Sequence, residues 1–396
     1  MVGARAATED GTIDADGSSV LTVGATGHAA QGRVDLDRRP MLVFWESTRA
    51  CLLACKHCRA EAQPTPVPGE LTTVEARRLI DSLAAFERPA PILVITGGDA
   101  LMRHDLGELI AHAREAGVPV ALAPSVTPLL TDDRLAELRS LGVKVASLSL
   151  DGASAATHEG LRGVDRHFPA TLAALARLRA HGFVVQINTV VTPENVRELP
   201  AIARIVRDGG AAIWEVFFLV NVGRGASLAE LGPDENEDVC QFLYDASKYG
   251  FIVRTVEGPM FRRVVVWREQ GTVGPAGPLY EQLAAGLVEQ LGPPTSASQA
   301  HTKGTRDGRG IVFVSATGDV YPAGFLPIVL GNVREHDIVD LYREHPLLRQ
   351  IRAAEFHGKC GRCEYRELCG GSRSRAFAAT GDPLAEDPAC AYAVPG

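Results

Sequence analysis

Apolar and polar positions follow two rhythms along this chain. Residues 41–45, MLVFW, form a short apolar run of the kind that becomes a buried strand. Residues 71–86, LTTVEARRLIDSLAAF, have a helical period, with Thr72 or Thr73 as the cap and Glu75 near the first turn. Residues 91–96, PILVIT, read as a second strand. A unit of helix, glycine and β-branched strand then recurs, around Gly117, Gly142, Gly182 and the pair Gly209 and Gly210. Glycine just past a helix suits a left-handed cap. The Val- and Ile-rich runs suit parallel strands covered on both faces. Six such strands alternating with helices predict an α/β fold, a parallel barrel or part of one. Chemistry is then expected at the C-terminal ends of the strands.

The rhythm divides the chain. Residues 1–38 carry no sustained period and predict a disordered tail. The repeating unit fills residues 39–232. Residues 233–309 predict a helical bridge, with helices near 234–247 and 278–292 and a polar linker at 293–310. Residues 310–396 predict a hairpin over 310–324 followed by a cysteine-rich stretch.

Composition narrows the function. The chain has 396 residues, 46% apolar and 22% charged, which is ordinary for a globular protein. A net charge of −8 and a pI near 5.8 argue against nucleic acid or an anionic membrane as partner. No apolar stretch approaches the roughly 20 residues that cross a bilayer. The first residues, MVGARAATEDG, lack the apolar core of a secretory signal. A cytoplasmic, reducing location is therefore expected, where clustered cysteines serve metals or redox chemistry rather than disulfides.

Three of the eight cysteines, Cys51, Cys55 and Cys58, fall within eight residues on the loop after the first strand, as C-x3-C-x2-C. A [4Fe–4S] cluster normally takes four thiolates. Three on one loop leave one iron open, and an open coordination position is what a catalytic metal site keeps. Structural zinc and incidental thiols are the other readings; zinc usually pairs two short ligand motifs at a distance, and the nearest fourth ligand here is His57.

With this loop the chain resembles the radical SAM superfamily, whose signature is C-x3-C-x2-C after the first strand of a partial (β/α)6 TIM-type barrel. The resemblance covers about residues 40–395. It implies that S-adenosylmethionine completes the open iron of a first [4Fe–4S] cluster and is cleaved to a 5′-deoxyadenosyl radical. TGGDA, residues 96–100, looks like the family's GGE motif, so Gly97, Gly98 and Asp99 would hold the methionine amino group. Ala100 stands where proline is usual. SLSLDGASAATHEGLRG, residues 147–163, looks like a further family stretch in which Ser149 and Arg162 would bind the methionine carboxylate. Asp151 would be a ribose or substrate contact, or else a capping Asp-Gly turn. His57 would pack near the adenine, and Asn188 would give a cofactor-side hydrogen bond.

Cys360, Cys363, Cys369 and Cys390 form C-x2-C-x5-C-x20-C. This resembles the SPASM or twitch-like iron–sulfur extension. The cysteines of one auxiliary cluster are present; Ala323 and Arg373 occupy usual cysteine positions of another. One auxiliary [4Fe–4S] cluster with four thiolates is implied, with a zinc knuckle as the rival. Cys240 is left as a buried inert thiol.

The branch it most resembles contains the radical SAM proteins of haem and haem d1 synthesis, with radical SAM decarboxylases as chemical neighbours. This implies hydrogen abstraction from a carboxylate-bearing small molecule, with decarboxylation of a uronate, nucleoside or propionate-type substrate in cofactor or secondary-metabolite biosynthesis. A flavodoxin or ferredoxin-type donor would supply electrons. Arg103, His104, Arg224, Arg262 and Arg263 lie at strand ends or caps and could supply cations for the carboxylate, while each one taken singly reads first as a solvated surface charge. Val126, where glycine would be usual, and Ala100 suggest a repurposed pocket and a smaller substrate. Dehydrogenation or epimerisation of a sugar-type metabolite, maturation of a ribosomal peptide, and a non-catalytic metal-binding module are the alternatives.

Overall fold

The computed structural model describes residues 35–301 and 304–394. The expected tail falls almost wholly outside them; only Asp35 to Arg38 are included, partly as a turn.

Seven strands follow one another in chain order: β1 (Leu42–Glu46), β2 (Ile92–Thr96), β3 (Val120–Leu122), β4 (Val145–Ser149), β5 (Val184–Val191), β6 (Ile213–Phe218) and β7 (Ile252–Val256). Helices α1 (Thr73–Ala84), α2 (Leu106–Glu115), α3 (Asp132–Ser140), α4 (Ala155–Arg162), α5 (His167–Ala180), α6 (Leu199–Asp208) and α7 (Pro233–Ala246) connect them. Next come α8 (Phe261–Glu269), α9 (Pro278–Leu291), then β8 (Ile311–Val314), β9 (Asp319–Tyr321) and β10 (Gly331–Asn332). Four short helices close the chain: α10 (Ile338–Glu344), α11 (Pro346–Arg352), α12 (Gly358–Arg362) and α13 (Arg373–Thr380).

All ten strands belong to one open sheet, in the order β10-β9-β8-β1-β2-β3-β4-β5-β6-β7. Pairing is parallel from β8 through β7; β9 and β10 add antiparallel edges. Neighbours in sequence are neighbours in space, and parallel crossovers are right-handed, so the helices between β1 and β7 collect on one face. Val43, Trp45, Leu93, Ile95, Leu148, Val185, Ile187, Trp214, Val216 and Val253 are buried in that layer's core. Strand alternation sends Phe44, Val94, Ser149, Asn188, Glu215 and Arg254 to the opposite, inner face, where they are only partly covered. Charged and amide groups are tolerated there because the face is not packed shut.

The local signals read from the sequence hold. Thr72 caps α1 in a capping box: its hydroxyl accepts the Glu75 N–H, and the Glu75 carboxylate accepts the Thr72 N–H at 2.8 Å. The hairpin expected over 310–324 is β8 and β9. Two elements in the expected helical bridge differ: the segment also holds strand β7 and helix α8. Polar Arg254 and Thr255 interrupt the apolar run of β7, and pairing with β6 decides its conformation. Among the described residues no helix is long and apolar enough to cross a membrane.

Candidate active site

The loop after β1 is fixed from three sides. Cys51 N–H donates to the Gln63 carbonyl at 2.8 Å, and Gln63 N–H to the Arg49 carbonyl at 3.0 Å. Lys56 N–H donates to the Leu161 carbonyl at the end of α4, at 2.9 Å. Arg224, beyond β6, reaches back with Nε to the Cys55 carbonyl at 2.9 Å and Nη1 to the Ala62 carbonyl at 3.0 Å. The Gly97–Gly98 turn closes the third side. Gly98 N–H donates to the Thr48 carbonyl and Asp99 N–H to the Ala50 carbonyl, both at 2.7 Å. A Cβ on Gly97 would stand 2.4 Å from the Thr48 oxygen, and one on Gly98 2.3 Å from the Ala50 oxygen. Only glycine lets the second strand end approach the cysteine loop this closely.

Cys51, Cys55 and Cys58 thus share one clamped loop, the first two buried and the third half-buried, packed with Leu53 and Ala62. Cys51 Sγ accepts the Leu53 N–H at 3.4 Å and lies 3.7 Å from Ser125 Oγ. Burial pushes the Cys51 thiol above its usual range. A thiolate here needs a compensating positive charge, which a metal supplies.

Part of that charge is already present. Arg162 Nη1 lies 3.5 Å from Cys55 Sγ, and its Nη2 forms a 2.6 Å ion pair with Asp151. Arg162 Nε is buried without a partner. Asp151 also accepts the Val190 N–H at 2.9 Å and stands 3.7 Å from His57 Nε2. Burial alone would raise the Asp151 carboxyl, but Arg162 and then His57 outweigh burial and hold it below the usual carboxylate range. Burial lowers His57 to about 4, so it is neutral at physiological pH.

A histidine chain that the sequence reading left unassigned supports this hub. The Asp151 N–H donates to His158 Nδ1 at 3.1 Å. His158 Nε2 therefore carries the proton and donates to His167 Nδ1 at 2.8 Å; His167 Nε2 in turn donates to the Val126 carbonyl at 3.1 Å. Burial lowers His158 to about 3, in keeping with two neutral rings.

Other expected site residues are placed as follows. The Asp99 carboxylate is engaged by Leu101 N–H at 3.1 Å, Ser125 N–H at 3.3 Å and Thr127 Oγ1 at 2.8 Å. Its visible work is to tie the end of β2 to the loop after β3. Ser149 stands opposite Asn188 on the inner face. Asn188 Oδ1 accepts from Gln186 Nε2, which also reaches Glu215, both at 2.8 Å. Val126 packs against the hydrophobic core and Ala100 is fully buried within it.

Four of the five candidate cations are occupied. Arg103 pairs with Asp105 at 2.7 Å and donates to the Ser47 and Leu71 carbonyls. Arg224 holds the cysteine loop, Arg262 holds the Leu368 carbonyl at 3.2 Å, and Arg263 pairs with Glu237 at 2.6 Å. His104 is exposed. Proximity in sequence to a strand end does not reveal whether a carbonyl or carboxylate has already claimed the side chain.

Cys360, Cys363, Cys369 and Cys390 line a second cavity, with Arg263, Lys359, Tyr365 and Tyr392. Each sulfur accepts a backbone N–H. Asp387 donates to Cys360 at 3.3 Å and Tyr365 to Cys363 at 3.4 Å, while Gly371 and Tyr392 serve Cys369 and Cys390. Such bonds are typical partners of cluster sulfurs. Burial pushes the Cys369 thiol up to about 12. Arg373 is fully buried, donates to the Pro383 and Ala385 carbonyls and lies 3.7 Å from Cys360 Sγ. Arg375 fastens this segment to the rest, through the Glu257 carbonyl at 3.0 Å and the Leu219 carbonyl at 2.9 Å. Cys240 is fully buried in the main core.

Comparison with known proteins agrees with this geometry. The model of the radical SAM superfamily matches residues 45–206. An AdoMet-dependent heme synthase of Methanosarcina barkeri (strain Fusaro) is 37% identical over 361 residues, 91% of this chain and 98% of that protein. The Fe-coproporphyrin III synthase of the same strain is 30% identical over 374 residues, 89% of this chain and 88% of that protein. Streptococcus suis SuiB bound to S-adenosylmethionine shares the fold, with a TM-score of 0.64 over 90% of this chain and 78% of that one, at 14% identity. Identity at the level of the heme synthase, carried across nearly the whole of both chains, is shared descent, and this protein belongs to the radical SAM superfamily.

Proposed function

We propose that Cys51, Cys55 and Cys58 hold a [4Fe–4S] cluster whose open iron takes S-adenosylmethionine, and that the enzyme acts on a carboxylate-bearing tetrapyrrole, decarboxylating a propionate. When bound, these groups supply a 5′-deoxyadenosyl radical that takes a hydrogen atom from the substrate. Removing that atom from the carbon β to a carboxylate, then CO2, converts a propionate to a vinyl group and leaves one electron for an acceptor, a role the proposed auxiliary cluster would fill.

The observation that carries the reading is the clamped loop with three thiols and the Arg162 guanidinium beside one of them. The chain's other five cysteines lie elsewhere, four around the second cavity and one in the core. Arg162 offsets thiolate charge and keeps Nε free for an anionic group of the cofactor. Asp151 and the histidine chain hold Arg162 in place. Gly97 and Gly98 bring the end of β2 against the loop, where their backbone can meet the methionine amino group. Ser149 and Asn188 face the same inner side. His57, neutral and half-enclosed, offers a flat partner for the adenine.

The four C-terminal cysteines are assigned to an auxiliary [4Fe–4S] cluster in a SPASM-like segment spanning about 310–396. A flavodoxin or ferredoxin-type protein is the proposed electron donor. The names of the two tetrapyrrole-forming relatives support the substrate class.

The test is an anaerobic assay with dithionite, S-adenosylmethionine and iron coproporphyrin III, with a uronate nucleoside in parallel. The expected result is 5′-deoxyadenosine together with CO2 from the porphyrin. Formation of 5′-deoxyadenosine with loss of two hydrogens and no CO2 would replace decarboxylation by dehydrogenation.

A further inference from the structure

We propose that Arg254 is the cation that receives a substrate carboxylate on the inner face of the sheet. This rests on the reading of the substrate as a carboxylate.

Four inner-face side chains stand in one row across neighbouring strands. Ser149 is opposite Asn188, Asn188 opposite Glu215, and Glu215 opposite Arg254. The row begins where the cofactor is proposed to bind and ends three strand spacings away, about 14 Å at the backbone. It therefore spans a mid-sized ligand between cofactor and cation.

Arg254 differs from the other arginines around the site. Arg59 pairs with Glu46 at 2.8 Å, Arg162 with Asp151, and Arg103, Arg224, Arg262 and Arg263 hold carbonyls or carboxylates. Among the described residues, no carboxylate lies within the 4.0 Å limit of an ion pair to the Arg254 guanidinium, and its Nε is buried without a hydrogen-bond partner. A guanidinium has five donors and no way to lose its charge at neutral pH, so leaving it unengaged in a half-buried place is costly. A carboxylate ligand would take two donors in a fork-to-fork pair.

The surroundings suit an anion attached to an apolar body. Glu215 lies on the adjacent strand, its carboxylate occupied by Gln186, so it balances the charge of Arg254 without filling its donors. Phe217, one inner-face position further along β6, packs edge-on with Phe325 at 6.3 Å between ring centres and gives an apolar wall beside the cation. A flat ring carrying propionates matches both features.

The experiment compares binding of iron coproporphyrin III and its tetramethyl ester to the anaerobically reconstituted protein. It is run on wild type, Arg254→Met and Arg254→Lys, with iron content and circular dichroism as checks on folding. The wild type should bind the acid more tightly than the ester. Arg254→Met should lose about 10- to 100-fold in affinity for the acid and little for the ester, the range of one charge-assisted hydrogen-bonding pair. Arg254→Lys, which keeps charge without the fork, should fall between; it carries the comparison if the Met variant fails to fold. If the wild type prefers the acid and both variants keep that preference, the assignment of Arg254 is overturned while the carboxylate reading stands. If the wild type does not discriminate acid from ester, both fall together.

Discussion

Asp151→Asn is the sharpest perturbation of the site that leaves every cysteine in place. The amide keeps an oxygen for the Val190 N–H but removes the charge that faces Arg162 at 2.6 Å. The two side chains are only 2% and 9% exposed, so water cannot take over. Removing one partner of a buried pair costs about 3–5 kcal/mol, because the other charge is left uncompensated. For a chain of 396 residues that is roughly a 4–6 °C fall in the thermal midpoint. The assay is unfolding of anaerobically reconstituted protein, followed by tryptophan fluorescence. Asp132→Asn is the control: Asp132 also faces an arginine, Arg177 at 3.0 Å, but is 66% exposed, and no measurable shift is expected. The pH dependence has a definite sign. The folded Asp151 carboxyl is held below its unfolded value, so its stabilisation is complete above the unfolded value, about 3.9, and is lost as pH falls through the lower folded one. The gap between wild type and variant should therefore stay constant from about pH 8 down to pH 5 as far as this carboxyl is concerned. An Asp151→Asn midpoint within about 1 °C of wild type would refute the argument that this pair is a buried anchor.

Three further outcomes follow. His158, at about 3 in the folded chain, stays neutral while its unfolded counterpart takes up a proton below about 6.5, so it costs stability as pH falls from 6.5 toward 3. His158→Gln should therefore flatten the acid slope of stability by close to one proton, read from unfolding midpoints at pH 7 and pH 5; an unchanged slope would show that His158 does not titrate as described. Gly98→Ala would place a Cβ 2.3 Å from the Ala50 oxygen and should halve the iron bound per chain, with the iron of the proposed C-terminal cluster retained; full iron loading would contradict the close-approach argument. Arg373→Ala removes a buried guanidinium that holds the Pro383 and Ala385 carbonyls beside Cys360, and should lower the iron of the proposed C-terminal cluster alone, judged by metal analysis in a Cys51→Ala background.

Features carried by adjacent residues were legible in the sequence. The Thr72–Glu75 capping box, the glycines after helices and the C-x3-C-x2-C loop need only a few positions to be recognised. Features assembled from distant strands were not. The Asp151, Arg162 and His57 hub joins the cysteine loop to the segment from β4 to α4, and His158 continues it to His167 on α5. Their mutual distances arise only when β4 pairs with β5 and α4 packs beside the loop. Arg254 was missed because β7 itself was read as part of a bridge. Once β6 pairs with it, the alternation that buries Val253 sends Arg254 to the inner face. Arg103, Arg224, Arg262 and Arg263 show the converse: the sequence leaves each between a solvated surface charge and a carboxylate ligand, and the fold instead engages each with a carbonyl or carboxylate of the chain.

The central claim concerns the iron that the loop of Cys51, Cys55 and Cys58 leaves open. It is tested most directly by the electron paramagnetic resonance spectrum of dithionite-reduced Cys363→Ala protein, recorded before and after addition of S-adenosylmethionine. The account predicts one cluster signal whose g values move on addition of the cofactor, and its loss when Cys51 is also replaced by alanine. A signal that S-adenosylmethionine leaves unchanged, or one that survives without Cys51, would contradict it.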